Sequence, residues 1–222
     1  MIKKYLIPIV VLLGFASTSV AATWRVEADG SGDWRFIQTA VEASASGDTI
    51  LIGPGRYDQL HDGPYGETVI ALWNAPKNLT FIGEDKEAVI IGPAAYVHNS
   101  VGFRCEGEGA FTVVENITFE NLGYGSVLVG GGGVTNTVVH GCEKGFAFFG
   151  QPGFRQLSVT NCEFVAKPEV ISGNFLSARS LDDVSISDCT TTDMMVYLQD
   201  VSSGIVSDCQ FNNPIYPSLT NF

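Results

Sequence analysis

The stretch "AKPEVISGNFLSARS" and the segment after it carry Lys167, Glu169, Arg179, Asp193 and Asp200, a mixture of carboxylates and bases suited to proton transfer. Glu169, Asp193 and Asp200 supply the oxygen ligands that Ca2+ takes. A cation held there would acidify the proton beside a uronate carboxyl group. A basic Arg179 or Lys167 would then remove it, with Asp193 as the accompanying acid or base. These residues form the candidate catalytic set (Arg179, Lys167, Asp193) and the candidate metal set (Asp193, Asp200, Glu169). The plain alternative is solvated surface charge.

A second group has no charge. "GSVLV", "GFAFF" and "MMVYL" read as strands. If Val127, Ala147 and Val196 point inward, alternation sends Ser126, Leu128, Phe146, Phe148, Met195 and Tyr197 outward. Outward Phe146, Phe148 and Tyr197 make a stacking platform for sugar rings, or else they pack beneath the long segment quoted above. His61, His98 and His140 show no metal-ligand spacing, and His140 alternates outward. "GGGG" at Gly130–Gly133 lacks the lysine of a phosphate loop and precedes a strand, so it reads as a turn. Asn78-Leu-Thr and Asn116-Ile-Thr match glycosylation sequons but fall at strand starts.

The elements that position these residues repeat. "TVVHGCEK", "LSVTNCEF", "VSISDCTT" and "IVSDCQF" place Cys142, Cys162, Cys189 and Cys209 in one column, which extends back to Glu84 and Leu122. Three residues earlier stand Phe81, Phe119, Val139, Val159, Ile186 and Val206, all apolar, in a local period of two. Immediately before the column come Gly83, Asn121, Gly141, Asn161, Asp188 and Asp208, types that tolerate left-handed backbone and so mark a sharp bend. A strand, a bend and a return after about 20 residues describe one coil of a β-solenoid. The four cysteines become an inward ladder of reduced thiols, with disulfides as the alternative reading. Cys105 lies outside the column. The spacing from Cys162 to Cys189 is seven residues longer than its neighbours, which makes the segment holding Lys167 and Glu169 an enlarged loop.

Ahead of the repeats, Phe36, Ile37, Ala40 and Val41 share one helix face and Gly47 supplies a stop, giving an amphipathic cap for the open end of a solenoid. The opposite end shows nothing comparable, as in an abrupt end or the truncation of a longer chain.

The first 22 residues have the basic start, short apolar run and small-residue end of a cleavable secretory signal, leaving residues 23–222 as one domain that is secreted or periplasmic and not inserted in a membrane. The full chain carries a formal charge of −12, and loss of Lys3 and Lys4 takes it to −14, which disfavours nucleic acid as a partner. A polyuronate would need a bridging divalent cation, so Ca2+ is the one cofactor expected.

The stretch from Trp24 to Gly92, with "VEADGSGDWRFIQTAVEASASGDTILIGPGRY" and "PKNLTFIGEDKEAVIIG", resembles the opening of secreted right-handed parallel β-helix proteins of the pectin-lyase-like superfamily. The resemblance implies an all-β, right-handed parallel β-helix with an N-terminal capping helix, and a polysaccharide as partner. The Gln-Asp-Thr, Asp-Phe-Ile-Phe-Gly and Gly-Arg-Pro-Trp elements of pectin methylesterases are missing from the sequence. So is the Gly-His-Gly of polygalacturonases, and the one Asp-Asp, Asp182-Asp183, precedes its strand. A lyase-like protein that binds or degrades a polysaccharide is the expectation that remains. Its alternative is a non-catalytic surface, adhesive or spacer module of a longer protein.

Overall fold

The computed structural model describes residues 20–63, 66–73, 77–151, 155–165, 174–192 and 195–211. Lys167, Glu169 and Asp193 lie outside the described residues. The elements run β1 (Thr23–Val26), α1 (Ile37–Ala43), β2 (Thr49–Ile52), β3 (Gly55–Tyr57), β4 (His61–Gly63), β5 (Gly66–Trp73), β6 (Leu79–Gly83) and β7 (Val89–Ile91). Two long strands follow, β8 (Val97–Glu115) and β10 (Leu122–Thr135), separated by β9 (Thr118–Glu120). The remainder is β11 (Val138–His140), β12 (Lys144–Phe149), β13 (Gln156–Thr160), β14 (Glu163–Val165), β15 (Asn174–Arg179), β16 (Asp183–Ser187), β17 (Thr190–Thr192), β18 (Met195–Gln199), β19 (Ser203–Ser207) and β20 (Gln210–Phe211).

Among the described residues the protein is all-β apart from one helix, and its strands pair almost entirely in parallel; β4 with β5 is the antiparallel exception. Each pass of the chain visits three faces. The first face stacks β5, the start of β8, the start of β10, β12, β15 and β18. The second stacks β1, β2, β6, the ends of β8 and β10, β13, β16 and β19. A separate sheet stacks β3, β7, β9, β11, β14, β17 and β20. Parallel neighbours cannot be joined by a tight hairpin, so each strand must wait a full circuit for its partner.

Identical core positions therefore line up. On the second face Ile50, Phe81, Val114, Val134, Val159 and Ile186 pair in register, all fully buried, and Val206 ends the row 47% exposed. In the smaller sheet the row is Tyr57, Ile91, Phe119, Val139, Phe164, Thr191 and Phe211. These rows split the single column read from sequence. Val139 pairs with Phe119 in the smaller sheet, whereas Val159 pairs with Val134 on the second face. Two of the bends in a circuit resemble one another, and both use left-handed residues. One runs through Asn116, Asn136, Asn161, Asp188 and Asp208, with φ between 49° and 57°; the other includes Asn121 and Gly141, at 58° and 64°. An apolar strand followed by asparagine, aspartate or glycine looks the same at either bend, so the sequence alignment slid from one to the other.

The cysteine ladder divides accordingly. Cys162, Cys189 and Cys209 follow the first bend and continue the positions of Ile117 and Thr137, as the backbone bonds Val138 N to Ile117 O, Glu163 N to Thr137 O, Thr190 N to Cys162 O and Gln210 N to Cys189 O require. Cys142 follows the second bend instead, beneath Leu122, whose N–H donates to Cys142 Sγ at 3.4 Å. All five thiols are free, and all but Cys209 are buried. Burial pushes Cys105 and Cys142 up to about 12. The hydrogen bond between Cys162 and Cys189 raises the first and lowers the second. Alkylation without reductant should label all five once the chain is unfolded, and Cys209 ahead of the others in the native state. A disulfide among them found by mass spectrometry would overturn the packing role.

The bends carry their own side-chain stack. Asn136 Nδ2 donates to Asn116 Oδ1 at 2.6 Å and Asn161 Nδ2 to Asn136 Oδ1 at 2.9 Å, which satisfies amides at the place where the strand ladder is interrupted. At the other end of the stack α1 packs on β1, β2 and β5 and buries Ile37, Ala40 and Val41. Phe36, expected on that buried face, is instead the residue before the helix and is 42% exposed. The helix ends at Ala43, before Gly47, because Ser44 turns extended and its Oγ donates to Ala40 O at 2.6 Å. Asp48 ties this end together. Its carboxylate accepts from Ala22 N, Trp24 Nε1 and Ala45 N at 2.8, 2.9 and 2.9 Å, and these bonds hold it below the usual carboxylate range.

Candidate functional site

The outward surface of the first face gathers the side chains with chemistry to offer, and its composition follows from the strand parity. Phe103, Ser126, Phe146 and Leu176 pair in register facing the core, and so do Cys105, Leu128, Phe148 and Ala178. The residues between them, Arg104, Val127, Ala147, Ser177 and Tyr197, share the opposite side. The sequence-based orientation is thus reversed for two strands and right for one. Phe146 and Phe148 are core residues, 1% and 2% exposed, and cannot form a sugar platform; Tyr197 does face outward. The reversal has a plain cause. "GFAFF" is apolar at every position, so alternation is silent, and the interior takes the larger rings because they bury more area than alanine.

The outward aromatic of that strand is Phe149, 36% exposed, in register with Val129 on one side and Arg179 on the other. The Arg179 guanidinium lies 5.4 Å from the Tyr197 ring centre, and Tyr197 OH donates to Gln199 Oε1 at 3.1 Å. A second cation sits on a second ring. Lys144 Nζ is 4.5 Å from the Tyr124 ring centre and donates to its hydroxyl at 2.7 Å. One strand before Tyr124, Arg104 pairs with Glu106 at 2.6 Å. The floor is apolar, since Val101, Val127 and Ala147 form a small cluster apart from the main core, with Tyr124 packed against it.

Of the sequence candidates, Arg179 and Tyr197 are brought together. Asp200 comes directly after Gln199 as an exposed bend residue with φ 53°, level with Ser180 of the preceding circuit, whose N–H donates to Gln199 O. Lys167, Glu169 and Asp193 lie outside the described residues, and among the described residues no group of three or more histidine, cysteine or acidic side chains is arranged to hold a metal.

Residues that sequence reasoning passed over lie at the edge of this face. Tyr96 OH donates to Glu143 Oε2 at 3.1 Å, and His98 Nδ1 is 3.4 Å from the same oxygen. Burial and then the bond to Glu143 push the Tyr96 hydroxyl up to about 12. One bend away, Glu120 pairs with Arg56 and lies 3.3 Å from Nδ1 of the exposed His140; burial pushes its carboxyl up, yet the bonds from Arg56 and His140 outweigh that and leave it lowered. No local pattern announces these groups, because their partners lie one or more circuits away.

No family model and no curated protein matches the sequence. Among solved structures the chain is similar to pectin methylesterase from carrot, with a TM-score of 0.42 and 19% identity over 86% of this chain and 65% of that one. The chain thus spans just under two thirds of the carrot enzyme.

Proposed function

We propose that the chain is an exported right-handed parallel β-helix that binds a polysaccharide along the outward surface of its first face. The observation that carries this is the pair of cation-capped rings, Lys144 on Tyr124 and Arg179 on Tyr197, beside exposed Phe149 over an apolar floor. Aromatic faces stack on the apolar faces of sugar rings, and the flanking cations and Gln199 supply hydrogen-bond donors. In the lyase form of this proposal Arg179 would remove the proton beside a uronate carboxyl group, the electron pair would form the C4–C5 double bond as the glycosidic C4–O bond breaks, and the leaving oxygen would take a proton from solvent. Glu169, Asp193 and Asp200 would then hold Ca2+, which would acidify that proton, and Lys167 would assist.

The test incubates the protein with polygalacturonate, alginate and neutral xylan, each with calcium or with chelator, and follows binding together with ultraviolet absorbance from unsaturated products. Binding is expected, weakened about 5- to 30-fold by Tyr197→Ala, Phe149→Ala or Arg179→Ala, since each removes an interaction of about 1–2 kcal/mol. Calcium-dependent absorbance lost in Arg179→Ala supports the lyase. Binding without product supports a glycan-binding module, and no binding to any of the three favours the spacer or adhesive alternative.

A further inference from the structure

A cleft of about 110 Å³ opens at the opposite end of the molecule from the last circuit, between α1 and the segment from β3 to β5. None of its lining residues is among those named at the candidate polysaccharide surface. Its floor is the apolar side of Ile37, Tyr57 and Val69, all buried in the main core. Several polar groups around it are already engaged. Gln38 exchanges hydrogen bonds with the backbone of Ala71 at 3.1 and 2.8 Å, and Tyr57 OH donates to Val26 O and Gly53 O. Arg56 donates to Gly92 O and Pro93 O and pairs with Glu120. These residues build the walls and have little left for a ligand.

Four others are different. Arg35, Asp58, Gln59 and His61 line the same cleft, and among the described residues their side chains make no hydrogen bond or ion pair. The Arg35 guanidinium rests 5.6 Å from the centre of the Phe36 ring, and that ring is one of the few large apolar side chains left exposed. An unpaired arginine is notable in a chain with 24 acidic and 12 basic residues, because carboxylate partners are in excess. The planar guanidinium keeps its full donor fork for a carboxylate from outside.

We infer that this cleft holds a single carboxylated sugar residue. An apolar floor with an aromatic at its rim fits the flat face of a pyranose. Asp58, Gln59 and His61 offer both acceptors and donors to ring hydroxyls, and Arg35 takes the carboxylate. A neutral sugar would leave Arg35 without its partner, and a carboxylate without hydroxyls would leave the other three unused. The site is independent of the polysaccharide surface proposed above, so either can fail without the other.

Galacturonic acid and galactose are the probes, titrated by ligand-observed magnetic resonance and calorimetry against the full chain and against Arg35→Gln, Phe36→Ala and Arg179→Ala. Galacturonic acid is expected to bind saturably and galactose more weakly. Arg35→Gln should weaken galacturonic acid about tenfold or more, the worth of a charge-assisted hydrogen bond, and leave galactose unchanged. Phe36→Ala should weaken both sugars, and Arg179→Ala neither. Because Arg35 and Phe36 are exposed, unchanged melting temperatures will show that the variants fold. The inference is overturned if galacturonic acid does not bind, if it binds no better than galactose, if Arg35→Gln has no effect, or if Arg179→Ala abolishes its binding.

Discussion

Phe146→Ala is expected to lower the stability of the folded chain by about 3–5 kcal/mol, whereas Phe149→Ala, three residues on, should stay within about 0.5 kcal/mol. Phe146 sits in a continuous run of rings. Its centroid lies 6.3 Å from Phe119, 6.5 Å from Phe148 and 5.8 Å from Phe175; Phe119 contacts Phe103 at 5.2 Å, which contacts Phe81 at 4.7 Å. Most of these pairs are tilted or edge-on, the geometry favoured by ring quadrupoles. Truncation removes both the buried area and the partners of three neighbours, and stacked strands held on both sides have little freedom to collapse into the gap. Urea unfolding at constant m-value measures the difference. A larger loss for Phe149→Ala than for Phe146→Ala would mean that the strand parity of β12 is reversed.

Ile37→Asp should cost a similar amount, about 3–5 kcal/mol, the range seen when a buried charge is left without a partner. Ile37 is 3% exposed at the start of α1, where the helix meets the core. An acidic residue in a first helical turn gains about 0.3–1 kcal/mol from the helix dipole, too little to offset the desolvation. Ile37→Val, which keeps the surface apolar, should cost only about 0.5–1.5 kcal/mol. Thermal unfolding of the two variants side by side gives the comparison. If Ile37→Asp melts with the parent, α1 does not cover the end of the stack.

Periodicity revealed the strands and left their phase undetermined. Where apolar and polar residues alternate, as in "LSVTN", the buried positions Leu157 and Val159 were legible from sequence. Where every residue is apolar, as in "GFAFF", only three-dimensional packing decides which side is inside. The repeat was visible for the same reason that its alignment failed. Left-handed asparagine, aspartate and glycine recur at both bends of a circuit, and nothing local distinguishes Asn121 from Asn161. The pairing of Arg179 with Tyr197 was within reach, since both had been singled out one circuit apart. The contacts of Lys144 with Tyr124 and of Tyr96 with Glu143 were not, because stacking distances depend on circuit length, and that length varies. Phe119 meets Val139 twenty residues on, Val139 meets Phe164 after twenty-five, and Phe164 meets Thr191 after twenty-seven.

That variation bears on engineering. Between Val165 and Asn174 the connection grows, yet β14 still pairs with β17 residue for residue, and β13 with β16 likewise. The hydrogen-bond ladder therefore does not register how long the connection is. Closing a longer loop costs only about 0.6 kcal/mol for each doubling of its length. The junction is accordingly a cassette site. Peptides of differing length and recognition chemistry can be exchanged there on a scaffold whose register is set elsewhere.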